Sequence, residues 1–213
     1  MNSMTQTYNA AVLQLAQAGI QALVDSNTQH KGIQTPAQES HFLCSWMVDS
    51  LKTKRFSKLV ADDLTQWIRL GRSKGAGAEL KRLLERIVFH YQTAKTEQLA
   101  DAVQNLLAEF EALDWLVISD TPLTEKLKLE GDGRSSIVVC ASQLAQHIQQ
   151  GELIKPISLY VRGDEQQLAT LALKHGLLLS QANKKNSLIK HHKTYVVSPK
   201  NNHVSLCLLA QTI

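Results

Sequence analysis

The sequence predicts an α+β protein, with an N-terminal all-α helical bundle over residues 1–113 followed by a small α/β domain with a mixed sheet over residues 114–213. Two patterns point to this. Up to residue 113 apolar side chains recur at spacings of three and four, the period of amphipathic helices. Near Trp115 the apolar runs shorten to five or six residues, bounded by turn chemistry and alternating with helical patterns, as in α/β folds. A hydrophobic fraction of 44% with 20% charged residues excludes a disordered chain or a fibrous rod.

Five helices are expected in the first half. The first carries Leu13, Ala16, Ile20 and Leu23 on one stripe and ends in the polar segment from Asp25 to Gln34, around Gly32. The second opens with Thr35, Pro36 and Gln38, a T-x-x-Q capping box with proline at the first helical position. It buries Phe42, Leu43, Trp46, Met47 and Leu51. Ser57 caps the third, in which Val60, Leu64, Trp67 and Ile68 share a face and Gly71 offers a left-handed stop. A loop from Arg72 to Gly77 leads to a fourth helix with Leu80, Leu83, Leu84, Ile87, Val88 and Tyr91. Thr96 caps a fifth, whose stripe is Leu99, Val103, Leu106 and Phe110.

In the second half, 115–119, 137–141 and 157–162 read as buried strands. Helices are expected at 122–129, at 143–150 with Gly151 as stop, and at 165–175 with Gly176 as stop. Residues 177–180 form a short fourth strand, and 188–197 with 204–209 form a closing antiparallel hairpin across SPKNNH.

The 213 residues hold 23 Lys plus Arg against 19 Asp plus Glu, a net charge of +4. That excess is local: Lys52 to Arg86 carries +6 and Lys184 to His203 carries +5. Cys44, Cys140 and Cys207 form no paired framework and no closely spaced zinc motif, which fits a reducing, cytoplasmic setting. The N-terminus lacks a signal-peptide pattern, and no apolar run is long enough to span a membrane. No metal site is expected, because His191 and His192 would point to opposite faces of a strand and no H-E-x-x-H helix occurs, and no cofactor is expected, because phosphate-loop and dinucleotide-binding patterns are absent.

Three surfaces remain as candidates. The first is a polyanion-binding face built on Lys54, Arg55, Arg72, Lys74, Lys81 and Arg82, centred on GRSKGAG, where loop amides and cations would converge on a phosphate at the start of the next helix. A helix-turn-helix reading is weaker, because the start of the following helix is AGAE rather than base-reading side chains. The second is a ligand pocket at strand ends, Asp120, Ser142, Arg162 and Asp164, which a parallel sheet would bring to one edge. Thr121, Ser142 and Asp164 each stand where a helix needs an N-cap, the favoured reading of the three, which leaves Arg162 and Asp120 as the residues hardest to explain as caps. The third is the C-terminal segment with Lys190, His191, His192 and Lys193, either a second phosphate-contacting patch or an edge hairpin protected by lysines.

The wording around W-x-x-x-S-L-K and G-R-S-K-G, within ESHFLCSWMVDSLKTKRFSKLVADDLTQWIRLGRSKGAGAELKRLLERI, and the later ELIKPISLYVRGDEQQLATLALKHGL resemble a family of bacterial proteins of about this length with no assigned function. That resemblance implies one intracellular protein and brings no activity or site with it. The functional expectation is a non-enzymatic binding protein whose partner is nucleic acid or another polyanion. The alternatives are a small α/β ligand-binding or phosphate-handling enzyme, and a protein–protein adaptor anchored by Trp46 or Trp67. The sequence does not set an oligomeric state.

Overall fold

The computed structural model describes residues 6–29, 34–129, 133–183 and 187–211. Helices come first and a mixed five-stranded sheet follows, so the α+β class holds. Packing divides the chain into two compact units, Met1–Gln92 and Thr93–Ile213. The change of hydrophobic period at 113/114 thus lies inside the second unit, because the fifth helix is buried against the sheet. No helix among the described residues is long and apolar enough to cross a membrane.

The first unit contains α1 (Tyr8–Gln29), α2 (Pro36–Lys52), α3 (Ala61–Lys74) and α4 (Leu80–Thr93). In α1 the buried stripe is Val12, Leu15, Ala16, Gly19 and Leu23, so the expected Leu13 and Ile20 are half-exposed at its flanks. Gly19 decides the rotation. A Cβ there would lie 2.8 Å from Leu84 Cδ1 and 3.2 Å from the Trp46 ring, so the glycine is the notch into which both side chains pack. The end of α1 near Gly32 lies outside the described residues. The capping box of α2 is present, with Gln38 N–H donating to Thr35 Oγ1 at 3.4 Å and Thr35 N–H to Gln38 Oε1 at 2.8 Å.

Ser57 caps a short 3-10 turn, Lys58–Val60, that leads into α3. Gly71 does not end that helix. It is buried inside it, with Cys44 Sγ and Leu80 Cδ1 each 3.1 Å from where its Cβ would stand, and the helix stops at Gly75, whose φ of 54° with ψ of −124° is a conformation open to glycine. The expected loop is therefore the last turn of α3 followed by a 3-10 turn, Gly75–Ala78. His90 is buried in α4, and burial, aided by the charge of Arg86, lowers its pKa from 6.5 to about 4.

The second unit opens with α5 (Leu99–Ala112), whose first turn starts at Gln98 rather than Thr96; the Gln98 N–H donates to Glu152 Oε1 at 2.8 Å. The sheet uses β1 (Leu116–Ile118), β2 (Ser136–Val139), β5 (Ile157–Arg162), β6 (Ser180–Gln181) and β7 (Lys193–Val197), in the order β1-β2-β5-β7-β6. Between them lie α6 (Ala141–His147), a two-stranded ribbon of β3 (Ile148–Gln149) and β4 (Glu152–Leu153), and α7 (Glu165–Lys174). β1 runs parallel to β2, and β2, β5, β7 and β6 pair antiparallel.

Alternation along the strands builds two cores. Ile137, Val139, Leu159, Val161 and Tyr195 share one core with Val103, Leu106 and Phe110 of α5 and Leu168 of α7. Val138 and Tyr160 point to the other face and are covered by Ile189, Leu123, Leu129 and Leu188.

Two expected elements are absent from the described residues. Residues 122–129 form no helix; they run as an extended strap bonded to the C-terminal segment through Leu127 N–H to Leu188 O and Lys190 N–H to Leu127 O, both 2.8 Å. Residues 204–209 form no strand, so the closing hairpin is replaced by β7 between β5 and β6, with Leu208 N–H donating to Leu179 O at 2.7 Å.

Asn201, 1% exposed, ties three backbone segments together. Its Oδ1 accepts from Leu178 N–H at 2.9 Å, and its Nδ2 donates to Lys95 O at 2.7 Å and Gly176 O at 2.8 Å. Its φ of 52° is one that asparagine tolerates. Gly163 leaves space for Trp115, whose ring would come within 2.4 Å of an added Cβ.

Asn201→Ala strands these backbone groups and lowers stability by about 1–3 kcal/mol, and Gly163→Ala costs a similar amount, about 1–3 kcal/mol, through overpacking; both are read as a fall in denaturant midpoint. His203, buried, has a pKa lowered by burial from 6.5 to about 4, as for His90. The unfolded chain takes up these protons near pH 6.5 and the folded chain only near 4. Stability is therefore complete above 6.5 and falls as pH drops toward 4. Thermal unfolding across that window shows the fall, and a His90→Gln/His203→Gln chain shows a shallower dependence.

Candidate functional site

The cations of the first unit divide by what surrounds them. Lys54 is exposed at φ 52° just beyond α2. Arg55 stacks its guanidinium 5.8 Å from the centre of the Trp46 ring, which packs against Phe56 at 5.7 Å. Arg72 and Lys74 are exposed in the last turn of α3. There they complement the negative end of the helix dipole. The phosphate cradle expected at GRSKGAG is not formed, since α3 continues through the first half of that motif and Gly75 O accepts from Ser40 Oγ at 2.6 Å.

Lys81 and Arg82 are held by carboxylates: Lys81 Nζ lies 3.0 Å from Glu39 Oε1, and Arg82 Nη1 lies 2.7 Å from Glu79 Oε1. The groove of about 370 Å³ that they line also presents Glu39, Glu79 and Glu85. At the start of α4 Ala78 and Leu80 are buried, and the exposed Glu79 and Arg82 bond each other, so a major-groove reading of α4 gains no unengaged base-reading side chain there. Trp67 is 5% exposed, which removes it as an anchor for a partner protein, and Trp46 is half-exposed with Phe56 and Arg55 against its ring.

The strand-end pocket of the second unit is not assembled. β5 runs antiparallel to β2 with Ser136 opposite Arg162, so Arg162 and Asp164 leave the sheet at one end while Asp120 and Ser142 follow strands that leave at the other. Asp164 is an N-cap, its Oδ1 accepting from Gln166 N–H at 2.9 Å. Ser142 lies in the first turn of α6, and Thr121 caps no helix; its hydroxyl donates to Asp120 Oδ1 at 3.1 Å. Cys140, buried at the start of α6, accepts from Leu123 N–H at 3.2 Å.

The C-terminal segment begins outside the described residues at Lys184 and Lys185 and is described from Ser187. Lys193 is exposed yet paired, its Nζ 2.7 Å from Glu165 Oε2, and the same carboxylate accepts from the buried Tyr195 hydroxyl. Lys193 and then Tyr195 hold Glu165 below the usual carboxylate range. His191 is exposed at φ 67°, whereas His192 is buried, with Nδ1 3.0 Å from Lys190 O and Nε2 2.9 Å from Ser136 Oγ. Because a carbonyl can only accept, Nδ1 carries the proton and Nε2 accepts from Ser136. Burial, then the charges of Arg162 and His191, outweigh the carbonyl and keep the His192 pKa below its ordinary value.

A groove of about 330 Å³ lies beside this segment, and Lys126, Lys128, Lys190, His191 and His192 line it. Sequence reasoning missed Lys126 and Lys128. Read as helical, residues two apart point to different faces; in the extended strap they share one. The signal that would have found them is the pair Leu127 and Leu129, spaced by two within the strap.

No curated protein and no solved structure matches the chain. A model of a protein family matches residues 7–210, nearly the whole of both units. The chain therefore belongs to the family DUF2913, proteins of unknown function.

Proposed function

We propose that this chain is a non-enzymatic binding protein that engages polyanions, nucleic acid foremost, through the cations around α3 of the helical unit. The observation that supports this reading is the exposure of Lys54, Arg72 and Lys74 within a segment carrying +6. Lys81 and Arg82, by contrast, are engaged by Glu39 and Glu79 and contribute less. An exposed cation engaged in no ion pair can displace the counterions condensed on a phosphate backbone, and their release drives association. Arg55, stacked on Trp46, is pre-ordered and gives up little side-chain entropy on contact. Nothing in this arrangement reads base edges, so binding is expected to be indifferent to sequence.

The test is fluorescence anisotropy with a labelled duplex and a labelled single strand of mixed sequence at two salt concentrations. Affinity is expected to fall steeply with salt, and Lys54→Gln/Arg72→Gln/Lys74→Gln is expected to flatten the log–log salt slope by roughly 2–3, close to 0.9 per lost duplex phosphate contact. Lys81→Gln/Arg82→Gln moves it less. Absence of binding at low salt removes the proposal.

A further inference from the structure

We propose that the groove between residues 126–128 and 187–192 is a binding site for a compact oxyanion, phosphate or a phosphomonoester. Lys126, Lys190 and His191 converge there as exposed side chains, with the buried His192 behind them. Among the described residues that line the groove there is no carboxylate. Elsewhere in this unit three exposed cations meet acids: Lys174 with Glu109 at 2.7 Å, Lys193 with Glu165 at 2.7 Å, and Arg134 with Asp114 at 3.2 Å. Like charges gathered in one groove repel each other, and a bound dianion relieves that repulsion.

The groove is also held in shape before any ligand arrives. The Leu127–Ile189 bridge joins its two walls through two 2.8 Å backbone bonds, Ile189 is 2% exposed against Val138 and Tyr160, and both ring nitrogens of His192 are engaged. Preorganised walls reduce the ordering cost of binding. Arg162 adds a further positive charge: it pairs in register with Ser136, the residue bonded to His192, and its field reaches that ring. Lysine ammonium groups act as compact point charges able to approach a tetrahedral oxyanion from several sides, and no planar two-point fit is required of them. A concavity of about 330 Å³ suits one phosphoryl group with a small substituent.

This inference assigns Lys190 to the groove and stands independently of the nucleic-acid reading, since every lining residue belongs to the second unit. Calorimetric titration of the full chain at low ionic strength, with inorganic phosphate and with phenyl phosphate, is expected to show saturable binding that chloride at matched ionic strength does not reproduce. Lys126→Gln/Lys190→Gln is expected to weaken it at least about tenfold, since losing even one of the two charged hydrogen bonds has that effect. Arg162→Gln, exposed and outside the groove wall, is expected to weaken it less, and Lys54→Gln/Arg72→Gln/Lys74→Gln to leave it unchanged. Circular dichroism establishes that each variant is folded. The proposal is overturned by absence of saturable phosphate binding, by equal binding in the Lys126→Gln/Lys190→Gln chain, or by a dependence on these lysines seen with an oligonucleotide alone.

Discussion

Burial of one helix against one face of the sheet is the interaction on which the second unit rests. Leu99, Val103, Leu106 and Phe110 of α5 are each 0% exposed, and they meet Ile137, Val139, Leu159 and Tyr195 from the strands. A fully buried aliphatic or aromatic side chain contributes about 1.5–3 kcal/mol, so this stripe outweighs anything its short strands obtain from pairing alone. The constraint propagates. It assigns α5 to the sheet that follows it in sequence, sets Trp115 against Phe110 with ring centres 4.4 Å apart, and requires glycine at position 163 beside that indole. It also leaves the opposite face of the sheet to be covered by something else.

That cover is an extended strap rather than a helix, and the choice has a chemical consequence. Leu123, Leu129, Leu188 and Ile189 close over Val138 and Tyr160, and backbone bonds tie the two segments of the strap together. Lys126 and Lys128, two apart in the strap, come to line the same groove as Lys190, with Leu127 exposed between them. A packing solution for an apolar face thereby produces a concentrated positive surface.

Ion pairing decides which basic residues remain available. Lys81 and Lys193 are indistinguishable in sequence from Lys54, Arg72 and Lys74, but Glu39 and Glu165 engage them, while Arg82 is engaged by Glu79 three positions earlier. Exposed pairs of this kind contribute little to stability. Their importance lies in the charge they neutralise. Glu39 lies 42 positions from Lys81 and Glu165 lies 28 from Lys193, separations that no local charge count can reveal.

The helices of the first unit, the capping box at Thr35, the strand at 157–162, the Asp164 cap and the α+β class could all be read from sequence alone, because each depends on contacts within a few residues: periodicity, a side chain three positions from an amide, or a polar residue before a helical run. What tertiary structure alone decided was partnership at a distance. The antiparallel pairing of β5 with β2 separated Asp120 and Ser142 from Arg162 and Asp164, and carboxylates distant in sequence engaged Lys81 and Lys193. The same long-range pairing made residues 122–129 a strap instead of the expected helix, since backbone bonds to Leu188 and Lys190 and the packing of Leu123 and Leu129 outweigh a local helical preference. Propensity is a sum of small local terms, whereas register and burial are set by residues that meet only when the chain has folded.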